Sequence, residues 1–197
     1  LVDHGVTQLT FNNMFILDNL ATGTKLFTYL FSFVAVLYIK RYVKDKKFQT
    51  GEFYAIFLFS VLGMMVMISA DNMLVLYVGL ELFSLALYGL IALQRDKVKA
   101  TEAAMKYFIL GALASGILLY GISFIYGATG GYLQLEDIIR AMLTHGNSNQ
   151  ALLSFGLVFI VAGLVFKLGL VPFHMWVPDV YEGSPLAVTT IIGSLTK

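Results

Sequence analysis

Apolar residues run through this chain in long blocks separated by short polar stretches, without the strict alternation of a half-buried strand. A helix crosses the hydrocarbon core of a bilayer with about 20 mainly apolar residues. Residues 53–70, 73–93, 107–128 and 151–171 meet that requirement cleanly. Residues 21–39 meet it with one ammonium, Lys25, near an end, from which its stem can snorkel to the headgroups. A further run starts at 186 and is still apolar when it reaches Lys197; with Leu1 rather than Met at the front, the chain is expected to be part of a longer one. Asp3, His4, Asn12 and Asn13 interrupt any cleavable leader. Transmembrane strands would alternate polar and apolar residues. The pattern therefore predicts an all-α fold, a polytopic transmembrane helical bundle forming one membrane domain over 1–197.

The polar positions orient that bundle. Lys40, Arg41, Lys44, Lys46 and Lys47 follow the first span, and Arg95, Lys97 and Lys99 follow the third. The stretch 127–150 holds Arg140 with Glu136 and Asp137. Basic loops stay on the cytoplasmic side or its equivalent, so the two basic loops are expected inside and 127–150 outside. Composition narrows the class further. With 58% apolar and 13% charged residues, the chain departs from the roughly 45–50% and 25% of soluble domains. The absence of Cys excludes a disulfide scaffold and iron–sulfur ligation in this chain, and a net charge of +1 lacks the basic excess of a nucleic-acid binder. His4, His145 and His174 are too scattered to pair as haem ligands, and no glycine-rich nucleotide loop follows a strand. Small residues at spacing four (Gly111/Ser115, Ala112/Gly116), with Gly156, Gly163 and Gly169, mark faces where helices approach closely.

Charges inside a span cost a few kcal/mol, so they usually face a cavity and act there. Glu81 lies eight residues into its span and Lys167 sixteen into its own. Each could also be half of an ion pair that only locks two helices. Lys106 stands at the start of a span one turn after Glu102, a spacing that suits an interfacial ion pair. The segment 172–185 is unusual: three prolines and Gly183 interrupt helix between two apolar runs, yet it carries His174, Trp176, Asp179 and Glu182. Irregular backbone at membrane depth is tolerated only inside protein or beside water. A broken helix over an ion path is one reading, and an interfacial turn with an aromatic belt is the other. The helix from Ala151 is expected to break at or just before Pro172 and to resume by about Leu186. Burial can shift an ionisable group by up to about 3–5 pKa units, and a lysine needs about three to exchange its proton near neutrality. A carboxylate at about 7 Å returns roughly 2.4 kcal/mol at an effective dielectric of about 20. Separation of a glutamate from a lysine can thus decide whether the lysine is loaded.

The motifs Gly79-Leu-Glu-Leu-Phe-Ser84, Glu102-Ala-Ala-Met-Lys-Tyr107, the long run from Phe166 to Pro185 and the terminal Ser194-Leu-Thr-Lys197 resemble the antiporter-like membrane subunits of respiratory complex I, and the likeness runs from about Phe11 to the end. The resemblance implies the first half of an inverted-repeat antiporter-like fold. It implies proton translocation driven by quinone reduction in neighbouring subunits. Glu81 would be the carboxylate partner, Lys167 the central proton-carrying lysine of the broken helix, and Lys197 the next relay lysine. Lys106 would be a further buried lysine coupled to Glu81, and His174 would lie on the hydrated path. NAD, FMN, iron–sulfur clusters and quinone would belong to other subunits, with no cofactor or metal on this chain. The partners would be other complex I membrane subunits, including homologous antiporter-like ones, and the lipid bilayer, with no nucleic acid. The membrane would be the bacterial inner membrane, or the mitochondrial inner membrane if organellar. Two other readings stand beside this one: a cation/proton antiporter subunit of the multi-subunit type, and a structural membrane scaffold.

Overall fold

The computed structural model describes residues 7–45, 50–145 and 149–195. A hairpin of β1 (Gln8–Thr10) and β2 (Phe15–Leu17) leads into α1 (Asn19–Asp45), α2 (Thr50–Ile68), α3 (Met73–Ala92) and α4 (Val98–Thr129). Then follow α5 (Leu135–His145), α6 (Gln150–Leu168), α7 (Trp176–Gly183) and α8 (Leu186–Leu195). Among the described residues, α1, α2, α3, α4 and α6 are long and apolar enough to cross a membrane. They are the helices built on the five expected runs. The chain is a multi-pass membrane bundle.

Helix ends depart from the apolar runs where polar chemistry governs them. α4 starts at Val98 rather than 107, because a helix continues through residues that water or headgroups can solvate. At about 1.5 Å per residue its 32 residues span about 48 Å against a hydrocarbon core of about 30 Å, so its polar first turns reach the basic-loop face. α6 stops at Leu168, short of the expected 171. Gly169 takes a left-handed conformation (φ 68°) and donates to the Phe166 carbonyl at 3.0 Å, while the Leu170 N–H reaches the Val165 carbonyl at 3.0 Å. This closure satisfies carbonyls that the helix end would leave orphaned.

Close backbone approach holds the antiparallel neighbours together. A Cβ at Gly79 on α3 would lie 2.8 Å from the Met67 backbone nitrogen on α2. One at Gly121 on α4 would lie 2.8 Å from the Ile160 nitrogen on α6. Of the two small-residue stripes on α4, Gly111 and Ser115 are buried against α3, whereas Ala112 and Gly116 face outward. A core of Val43, Phe53, Phe57, Leu87, Ile91, Val180, Val188 and Ile191 joins the basic-loop ends of α1–α3 to α7 and α8. Outward-facing Phe33, Leu37, Phe59, Leu113, Phe155 and Val158 are the surface a bilayer requires.

At the opposite face the hairpin seals the α2–α3 turn. Ile16 donates to the Ser69 carbonyl at 2.8 Å, and Asp71 to the Met14 carbonyl at 3.1 Å. Asn72 caps α3 through its side-chain oxygen, which accepts from the Leu74 N–H at 2.9 Å. Neither this hairpin nor α5 is foreseen by the apolar runs.

Candidate functional site

Lys167 lies in the last turn of α6, and its side chain is 9% exposed. Its Nζ donates to Glu81 Oε1 at 3.0 Å and to the Ser84 hydroxyl at 3.0 Å, both on α3. Ser115 of α4 donates its hydroxyl to the same Glu81 oxygen. Ser84 in turn donates to the Leu80 carbonyl at 2.8 Å. One largely buried ion pair is thus shared by three membrane-spanning helices and held by two hydroxyls. The spacing explains it: Glu81 and Ser84 lie three apart on one face of α3. Lys167 reaches them because Gly163, Gly156 and Gly121 let α6 close on α4, the helix beside α3.

Two of the expected residues meet here, Glu81 and Lys167. Lys106 does not join them. The expectation of a buried lysine coupled to Glu81 is corrected: its side chain is 44% exposed, and its Nζ lies 2.8 Å from both Asp179 Oδ2 and Glu102 Oε1. The Glu102 pair is the i,i+4 contact that the spacing suggests. His174 is exposed on the segment between α6 and α7, where its carbonyl accepts from Val177 at 3.0 Å. Lys197 lies outside the described residues.

The break itself is tightly held. Residues 169–175 leave the helix, and α7 then forms within the segment expected to stay irregular from 172 to 186. Pro178 is compatible with this because it occupies the first turn of α7, where its missing N–H is not needed. The Trp176 indole donates to the Phe166 carbonyl at 3.0 Å, and its ring stacks on Tyr107 with centroids 4.4 Å apart. On the basic-loop face, Lys106–Asp179 and Lys99–Glu182, the latter at 3.0 Å, tie α7 to the first turns of α4. These groups line a small polar cavity of about 120 Å³ with Gly183 and Ala103. α7 therefore contacts both the helix that carries Lys167 and the helix that carries Ser115.

Sequence reasoning missed Ser84, Ser115 and Trp176 as parts of the site. Ser84 was detectable, three residues after an intramembrane carboxylate. Ser115 stood in a stripe read only as packing.

Residues 70–197 match the family described as NADH:quinone oxidoreductase/Mrp antiporter, TM. The chain belongs to that family. It is 56% identical over 189 residues to a protein of Laribacter hongkongensis named NADH-quinone oxidoreductase subunit N, covering 96% of this chain and 38% of the relative. A protein of the same name from Herminiimonas arsenicoxydans is 53% identical, over 98% of this chain and 40% of the relative. The chain spans about two fifths of the length of these curated relatives. Among solved structures, respiratory complex I of Thermus thermophilus contains a chain with TM-score 0.77 and 32% identity, covering 98% of this chain and 40% of that one. The Mrp complex of a Dietzia species superimposes with TM-score 0.70 over 92% of this chain and 33% of that one, at 22% identity, a likeness of fold.

Proposed function

We propose that this chain is the part of a proton-translocating membrane subunit of NADH–quinone oxidoreductase that holds its lysine–glutamate switch, in an inner membrane beside homologous antiporter-like subunits. The identity to relatives named subunit N favours this over a multi-subunit cation/proton antiporter. The observation that carries the mechanism is the buried Lys167–Glu81 pair at a helix break, supported by Ser84 and Ser115.

In the closed pair, attraction at 3.0 Å amounts to about 5.5 kcal/mol at an effective dielectric of about 20; opening to about 7 Å leaves about 2.4 kcal/mol. The difference, about 3 kcal/mol, exceeds the roughly 2.3 kcal/mol of moving one charge against 100 mV. A closed pair keeps Lys167 loaded. Opening it, through a shift of α6 against α3, lets the ammonium pass its proton onward, with Lys197 as the next station. His174, on the exposed connection, contributes to the hydrated route. NADH, flavin, iron–sulfur and quinone chemistry would reside in other subunits, whose electron transfer drives the shift. Lys106 has a different task, clamping α7 to α4.

The test is pumping in sealed vesicles, followed with a pH-sensitive dye and normalised to assembled complex. Lys167→Ala is expected to abolish or strongly cut pumping while assembly persists. Wild-type pumping by that variant would refute the assignment.

A further inference from the structure

Tyr88 lies on α3 seven residues beyond Glu81, toward the basic-loop end of the helix. It is 6% exposed, and its buried hydroxyl has the Ser84 hydroxyl as its neighbour, without a hydrogen bond of full geometry among the described residues. Such an orphan is uncommon, since a buried hydroxyl left unpaired is costly. The ring is held edge-on against Tyr107 with centroids 4.6 Å apart, and against Phe108 at 5.9 Å. The hydroxyl occupies the space that Gly111 of α4 leaves open, where an added Cβ would overlap it. Gly111 is one turn from Ser115, the residue that donates to Glu81. Ser84, which accepts from Lys167, lies one turn before Tyr88 on the same face and beside it. Side chains on a helix lean toward its N-terminus, so the phenol of Tyr88 leans back toward Ser84 and Glu81. The seam between α3 and α4 thus carries a file of oxygens: Glu81 and Ser115, then Ser84, then Tyr88.

We infer that the Tyr88 hydroxyl is a proton relay that reloads Lys167 from the basic-loop face, joined to Ser84 by bridging water; this rests on the proton-translocation reading above. The transfer balances. Ser84 gives its hydroxyl proton to the neutral Lys167 amine and takes one from the bridging water. That water takes one from Tyr88, and Tyr88 takes one from a water on its basic-loop side, which recovers its proton from the aqueous phase at that face. Each oxygen ends as it began, and Lys167 ends as the ammonium. Tyr88 is a phenol before and after, so no buried tyrosinate persists.

The test is Tyr88→Phe in the full-length subunit within the assembled complex, in sealed vesicles, beside Lys167→Ala. Phenylalanine keeps the ring contacts with Tyr107 and Phe108 and removes only the hydroxyl. Loss of one hydroxyl from the file is expected to slow pumping per assembled complex by about ten-fold. The loss should be greater when the basic-loop side is alkaline than when it is acidic, because proton delivery then limits the rate. A Tyr88→Phe variant that pumps like wild type, or that loses pumping equally at every pH, overturns the relay while leaving the Lys167 assignment intact. Wild-type pumping by Lys167→Ala would instead refute the reading beneath it.

Discussion

At the scale of single residues, the question is what Lys167 does that another cation could not. An arginine at 167 would keep the positive charge and its attraction to Glu81, but a guanidinium does not release its proton at any physiological pH. Lys167→Arg is therefore expected to assemble and to fail in pumping, with Glu81→Gln failing nearly as completely. If the pair only locked α3 to α6, the arginine would preserve the lock and pump at the wild-type rate. A second residue-scale expectation concerns Asp71, in the turn between α2 and α3. Partial burial, and then the carboxylates Glu136 and Asp137, hold its carboxyl above the ordinary carboxylate range. A raised value means that the folded state binds the proton more tightly than the unfolded chain. Its contribution to stability is then present at acid pH and lost as pH rises through the folded value. Asp71→Asn is expected to raise the unfolding temperature of the purified complex at neutral pH by no more than about 2 °C, and to change nothing in acid below the carboxylate range.

At the scale of elements, α7 is the piece whose attachment can be ranked. Its ion pairs with α4 join side chains that are 44% to 79% exposed, and such pairs contribute about 0–1 kcal/mol. Gly183 is another matter. A Cβ there would stand 2.6 Å from the Ala103 Cβ and 2.8 Å from the Lys99 carbonyl oxygen, and overpacking of that kind costs about 1–3 kcal/mol. Gly183→Ala is therefore expected to loosen α7 more than Lys106→Ala, and Lys106→Ala more than Lys99→Ala, read as protease sensitivity between α6 and α8. The reverse order would show that charge rather than close contact seats the helix. The elements also show where sequence reading reached. The membrane helices were legible because lipid demands long apolar runs and little else. α7 was not: eight residues with a proline read as a turn until tertiary contacts, the Trp176 indole on the Phe166 carbonyl above all, supply what propensity lacks. α5 had a readable signal in Leu135, Ile138, Ile139 and Met142 against Glu136, Asp137 and Arg140, too short and too polar to stand out beside the long apolar runs. Within the site, burial of a charge marked Glu81 and Lys167 in advance. For Lys106 the spacing gave the pair with Glu102 that the structure holds; its coupling to Glu81 rested on the resemblance alone, and no spacing tells that α7 brings Asp179 to it.

At the scale of the whole molecule, five crossings joined by short connections put the basic loops at one face and the hairpin, the α2–α3 turn and α5 at the other. α7 sits on the first turns of α4, hence on the basic-loop face. The Lys167–Glu81 pair lies between the two faces, near the middle of α3, while Tyr88 and the α7 clamp lie on its basic-loop side. A proton that enters by Tyr88 and leaves by way of Lys197 would thus start from the face carrying Arg95, Lys97 and Lys99. The positive charge of those loops is expected to hold that face in the cytoplasm or its equivalent, and under the proposed function uptake from there is the right direction for outward pumping. The arrangement is open to direct measurement. Cysteines introduced singly at Lys97, in the exposed connection before α4, and at Glu136, whose side chain is 76% exposed, are expected to react with an impermeant maleimide from opposite sides of sealed vesicles. Lys97 should react only when the cytoplasmic face is open to the reagent. Labelling of both positions from one side would break the crossing count, and with it the assignment of Tyr88 to the entry side of the pair.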